Sequence, residues 1–134
     1  MNLLYIFNWC YKNHPNQQVF FNFFSKNYAM SNFDLDYWGL SNLHSIKFIV
    51  ENNSYPIKVA TISFSSLNES ILLLNKTSKS KIKLVYDLNE ADFIITNYMR
   101  KIGKNFKVDE SKYTKYFEVK VDDVPINTVY KKKN

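Results

Sequence analysis

Ile57-Lys58-Val59-Ala60-Thr61-Ile62-Ser63-Phe64, followed at once by Ser66-Leu67-Asn68-Glu69 and the apolar run Ile71-Leu72-Leu73-Leu74, decides the fold class. The first eight residues are dense in β-branched and apolar side chains, as suits a strand buried on both faces. Ser66 and Glu69 have the spacing of a capping box, in which two side chains satisfy backbone amides at a helix start, so a second short helix is expected over the apolar run. A strand that feeds a helix is the building unit of an α/β protein.

Upstream of this strand, Ser41 is placed to cap a helix running from Asn42 to Asn52. Leu43, Ile46, Ile49 and Val50 fall on one face of it, and Lys47 and Glu51 fall on the other. Asn52-Asn53-Ser54, ahead of Pro56, should end it. Downstream, residues 75–80 read as polar connection and Lys81-Ile82-Lys83-Leu84-Val85-Tyr86 as a half-exposed strand. A short link over Asp87-Leu88-Asn89-Glu90-Ala91 then leads to a buried strand, Asp92-Phe93-Ile94-Ile95-Thr96-Asn97-Tyr98. Residues 99–115 show no period. Tyr116–Val121 and Ile126–Tyr130, joined around Asp122-Asp123-Val124-Pro125, read as a terminal hairpin with Phe117, Val119 and Val121 on one face. The expected fold is a small α/β sandwich. It has a mixed, partly parallel sheet, two main helices and a C-terminal β-hairpin, with an N-terminal helix in front.

The chain of 134 residues, 46% apolar and 22% charged, is sized and balanced for one domain. Its 17% aromatic share invites stacking platforms, but 17 Asn and 17 Lys against one Arg is the bias of an AT-rich genome, and Phe, Tyr and Ile rise with that bias. The net charge of +6 is concentrated after residue 98 on scattered lysines. With a single Arg the chain lacks the preferred bidentate reader of bases and phosphates, so nucleic acid is not an expected partner. Cys10 is alone, His14 and His44 are thirty residues apart, and Gly39 and Gly103 are the only glycines. Disulfide frameworks, zinc sites and glycine-rich phosphate loops are therefore not expected, nor is any cofactor or metal.

Residues 1–13 are apolar but well short of the roughly 20 residues that span a bilayer. They read either as an N-terminal core helix or as the end of a membrane helix, with Trp9 and Tyr11 at the interface level and Lys12 beyond it. Pro15 drives His14 out of the helical basin, so a helix should stop there. Phe20, Phe21, Phe23 and Phe24, broken only by Asn22, need a core or a lipid interface to cover them. Residues 1–24 are accordingly assigned to a membrane-helix end and an aromatic membrane-proximal segment, and residues 25–134 to a single α/β domain.

Phe33-Asp34-Leu35-Asp36-Tyr37-Trp38-Gly39-Leu40-Ser41 joins the two parts and holds the one acid pair in a motif-like setting. In an extended segment Asp34 and Asp36 would share a face and push one pKa upward, as general acid–base chemistry or a cation site requires. Alternatively the acids cap the following helix and fix the aromatic junction. Ser65 and Ser66 lie between a strand and a helix without the glycine-flanked elbow of a serine nucleophile. Asp87, Glu90 and Asp92 have the look of an ordinary polar link at a strand end.

Three stretches together resemble a known family. His14-Pro15 followed by Val19-Phe20-Phe21-Asn22, then Asp36-Tyr37-Trp38-Gly39-Leu40-Ser41, then Ala91-Asp92-Phe93-Ile94-Ile95-Thr96-Asn97-Tyr98 are similar, in order and spacing, to the C-terminal region of multi-pass bacterial glycosyltransferases. The group is the one akin to dolichyl-phosphate-mannose protein mannosyltransferases. Asn16 and Phe20 depart from its usual first stretch, and the hairpin around Asp122-Asp123-Val124-Pro125 also looks familial. The similarity covers about residues 8–131.

The resemblance implies a sugar taken from a polyprenyl-phosphate carrier by a membrane-embedded catalytic part that this sequence does not contain. It implies that the chain is an extracytoplasmic (periplasmic) C-terminal accessory domain, a fragment that is not catalytic alone. Its partner would be the membrane portion of that glycosyltransferase or the lipid interface. His14, Pro15, Asn22, Asp34, Asp36, Tyr37, Trp38 and Gly39 then have structural or acceptor-site roles. The other expectation is a self-contained soluble α/β module that binds a small ligand or protein partner near the strand C-termini. The Phe20–Phe24 run and Trp38 separate the two: exposed or lipid-facing in the first, buried in the second.

Overall fold

A computed structural model of the chain describes residues 3–19, 32–54, 56–99 and 107–133. The first helix, α1 (Leu3–Lys12), ends just ahead of the cis His14-Pro15 peptide bond. This is where Pro15 was expected to stop it, since a residue before proline is held away from the helical basin. A 3₁₀ turn, Gln17–Val19, follows. The central helix is α2 (Leu40–Glu51). Next come β1 (Ile57–Thr61), α3 (Asn68–Leu72), α4 (Lys76–Ser80) and β2 (Ile82–Leu84). A 3₁₀ turn at Leu88–Glu90 leads to β3 (Phe93–Thr96), β4 (Tyr113–Val121) and β5 (Val124–Lys132).

The five strands form one mixed sheet in the order β2-β1-β3-β5-β4. β1 runs parallel to both β2 and β3, and β5 joins β3 and β4 antiparallel. The expected α/β class, with a partly parallel sheet and a C-terminal hairpin behind an N-terminal helix, is what the chain forms.

Period-two alternation divides the central strands between two clusters. Ile57, Val59, Phe93, Ile95 and Val129 meet Ile46, Ile49 and Val50 of α2 in the main core. Burying side chains of this size stabilises by about 1.5–3 kcal/mol each. On the opposite face Ala60, Ile94 and Tyr113 pack with Ala91 and the flanking Leu88 and Val108, so among the described residues this face is covered by connecting segments. A third cluster gathers Trp9 of α1, Val19, and Val119, Val121 and Ile126 of the hairpin. The register of β4 against β5 shifts between Lys115 and Phe117. This bulge lets both Tyr116 and Phe117 turn toward the α2 side while Tyr113 packs on the other. Tyr116 then meets Phe48 and Phe93, and Phe117 stacks on Phe48 with ring centroids 3.9 Å apart.

Three local expectations need correction. Ser41 does not cap α2; the N-cap position is Gly39, and Ser41 lies inside the first turn. The Ser66–Glu69 capping box does not form: Ser66 Oγ accepts the Asn68 amide, and α3 is only five residues long. Leu74 is buried, but Leu72 and Leu73 stay exposed. Residues 76–80, read as connection, are helical because Asn75 Oδ1 accepts the Ser78 amide at 2.8 Å and caps them. Among the described residues no helix is long and apolar enough to cross a membrane. The boundary drawn between residues 24 and 25 lies outside the described residues.

Candidate functional site

Residues 35–38 form a turn, and this decides the fate of the acid pair. Asp34 is exposed whereas Asp36 is fully buried (0%), so the two carboxylates do not share a face as they would in a strand. Asp36 faces the start of α2, where the first amides have no partner within the helix. Its carboxylate accepts the Leu40 amide at 3.0 Å, the Ser41 amide at 3.1 Å and the Ser41 hydroxyl. A negative charge at a helix N-terminus is also favoured by the aligned peptide dipoles. Asp36 is thus the cap that Ser41 was expected to be, displaced along the chain by the left-handed turn at Gly39 (φ 66°). That turn requires glycine twice over: a Cβ there would sit in the left-handed region and 2.9 Å from Asn42 Nδ2.

From Asp36 a buried polar network spreads into the core. Asn127 Nδ2 donates to Ser41 Oγ at 2.9 Å and to Asn42 Oδ1 at 2.8 Å, and Ser45 Oγ donates to Asn127 Oδ1 at 2.7 Å. Asn97 Nδ2 donates to the Asp36 carbonyl at 2.8 Å, while the Asn97 amide donates to Ser63 Oγ at 2.9 Å. Gln18 Nε2 reaches Asp36 Oδ1 at 3.5 Å. The segments around Gln18, Asp36 and Asn97 are the three stretches singled out in the sequence, and they converge on one residue. Burial pushes the Asp36 carboxyl above the ordinary carboxylate range, opposed by the hydrogen bonds from Ser41, Leu40 and Asn97.

The same turn presents its aromatics outward. Trp38 is 75% exposed and Tyr37 57%, packed edge to face with ring centroids 5.3 Å apart. Leu35 of this turn packs on the Trp9 cluster. Trp9 itself is 5% exposed, and its indole N–H donates to Asp122 Oδ2 at 2.6 Å. On the outside of α1, Leu3, Phe7 and Tyr11 face solvent. Two exposed apolar sets therefore flank one buried cluster.

His14 is exposed and stands beside Gln17, whose Nε2 lies 2.6 Å from the His14 Nδ1, and Pro15 is partly buried in the same bend. His44, on α2, is half-buried; burial and Lys47 lower its pKa, while Asp36 raises it. Asn22 and the Phe20–Phe24 run lie outside the described residues. Among the described residues no group of three or more His, Cys, Asp or Glu is placed to hold a metal ion. The buried Asn42 and Asn127 were not singled out in the sequence, and Asn97 entered only as part of the third family-like stretch. Asn97 alone carried a signal, as a polar residue closing an apolar strand.

What this arrangement does chemically is hold a turn. Both oxygens of the Asp36 carboxylate accept hydrogen bonds from the first turn of α2, and Oδ1 is also reached by Gln18. No protein-family model matches the chain, and neither curated proteins nor solved structures match it.

Proposed function

We propose that this chain is a non-catalytic accessory domain that rests on a membrane surface through the aromatics of the 35–38 turn and the outer side of α1. In this reading it belongs to an integral-membrane glycosyltransferase that uses a polyprenyl-phosphate-linked sugar donor, and it sits at the extracytoplasmic face beside the membrane-embedded part. The observation that carries the reading is the pair Tyr37 and Trp38. They are large amphipathic rings, held outward by a turn whose base is fixed by Asp36 and Gly39. Exposed apolar patches mark interaction sites, and Trp and Tyr are the side chains that favour the level of lipid headgroups. The convergence of the three family-like stretches on Asp36 supports the same reading, because it gives each stretch a reason to be what it is: together they build the turn.

The test is flotation with liposomes of mixed zwitterionic and anionic lipid. The intact chain should float, and a Tyr37→Ser/Trp38→Ser double variant of unchanged melting temperature should remain in the dense fraction. Equal behaviour of the two chains would refute the reading. Deleting the N-terminus is a poor substitute, since Trp9 belongs to the core.

A further inference from the structure

The chain leaves β1 toward β2 on one flank and returns to β3 on the other, so the carboxyl ends of β1 and β3 lie where the connections diverge. Adjacent parallel strands with diverging connections open a crevice at those ends, and α/β sheets bind their ligands there. A cavity of ≈ 590 Å³ opens at this point, touching Ile62 just past β1 and Thr96 at the end of β3. Small-molecule sites occupy about 300–1,000 Å³.

Tyr98, also in the lining, has φ 60°, a left-handed conformation that a bulky residue rarely adopts and that surrounding bonds must hold. Its amide donates to Thr96 Oγ1 at 3.1 Å, and its hydroxyl is hydrogen-bonded to that of Thr128. The ring is therefore fixed at the crevice rather than free to swing. Tyr130, from β5, supplies a second phenol.

The charges narrow the ligand. Lys107 brings one ammonium, Asp109 and Glu110 two carboxylates. Asp109 is already compensated: Lys112 Nζ lies 3.8 Å from its Oδ2 and offsets its charge, and Oδ1 accepts the amide and hydroxyl of Ser111 at 3.0 and 2.6 Å. One free carboxylate and one ammonium remain, which favours neither an anion nor a cation. Two aromatic rings, with Ile62 and Val108, add apolar surface.

We propose that this crevice binds a neutral hydroxylated ring of monosaccharide size. The C–H face of such a ring packs on tyrosine, its hydroxyls donate to Glu110, and its oxygens accept from Lys107. The site uses none of the residues of the docking surface and stands or falls separately from it.

The 134-residue chain is titrated with methyl α-mannoside, methyl α-glucoside, N-acetylglucosamine and, as the cationic counter-probe, choline, following backbone amides by NMR. At least one glycoside should shift Thr96, Tyr98 and Tyr130 in the millimolar range. Glu110→Gln, a change at an exposed carboxylate, should weaken that binding about tenfold, the loss of one charge-assisted hydrogen bond. Tyr37→Ser/Trp38→Ser should bind as the parent does. Absence of any glycoside shift up to the solubility limit, equal affinity of Glu110→Gln, or tighter binding of choline would each overturn the proposal.

Discussion

Asn97 donates its side-chain amide to the backbone carbonyl of Asp36, 2.8 Å away and 61 residues earlier in the chain. Through this bond the end of β3 holds the turn that starts α2. The same turn buries a carboxylate and exposes two aromatics, so core stability and surface presentation depend on one short segment.

Replacing Asp36 with Ala removes the cap and leaves the Ser41 hydroxyl and amide short of an acceptor inside the core. Loss of a cap costs about 0.5–2 kcal/mol and an unsatisfied buried donor about 1–3 kcal/mol, so a total near 3 kcal/mol is expected in urea denaturation. A loss within about 0.5 kcal/mol, the range of ordinary surface substitutions, would show that the network is dispensable.

Asp36 also gives a pH dependence with a definite sign. Its folded pKa is raised, so the folded state holds the proton more tightly than the unfolded state. The contribution to stability is full below the ordinary carboxylate pKa and declines as pH rises through the folded value. Urea midpoints of the parent and of Asp36→Asn, compared from about pH 4 to about pH 7, should show this falling component in the parent alone. An identical slope in both chains would contradict the assignment.

Gly39→Ala places a methyl group in the left-handed region and against Asn42 Nδ2, with Ser65 Cβ 3.2 Å away. The expected cost is about 1–3 kcal/mol. It should appear as a lower urea midpoint with unchanged slope, and an unchanged midpoint would mean that the turn reshapes freely.

The two tryptophans should respond oppositely. Trp9→Ala empties the cluster of Val19, Val119, Val121 and Ile126 and removes the indole bond to Asp122, at about 3–5 kcal/mol. Trp38→Ser should change stability by no more than about 0.5 kcal/mol, because its ring lies in solvent. Comparable losses for both would place Trp38 in the core.

Local pattern made much of this readable in advance. The apolar, β-branched stretches 57–64 and 92–98 read as buried strands and hold β1 and β3 at 57–61 and 93–96, and Leu43, Ile46, Ile49 and Val50 marked the inner face of α2. Pro15 announced the end of α1. The capping of α2 was assigned to the wrong residue because Ser41 is a good cap by type, whereas the choice was made by Gly39 turning left-handed and swinging Asp36 onto the helix start. The bulge in β4 was hidden because Tyr116 and Phe117 are both apolar enough for either face. Trp9 is amphipathic, and its docking on the hairpin rests on long-range contacts, the bond to Asp122 and packing with Val119, Val121 and Ile126, that no local pattern encodes. The buried asparagine network depends on partners more than 60 residues apart, which no local period encodes.

The central claim, that the 35–38 turn faces lipid, is tested most directly by tryptophan quenching with brominated phospholipids. In a Trp9→Phe chain only Trp38 emits. On addition of brominated vesicles its emission should shift to the blue and be quenched, while in a Trp38→Phe chain the buried Trp9 should be unaffected. Emission from Trp38 that stays at its solvent wavelength and is not quenched by the bromines would contradict the account.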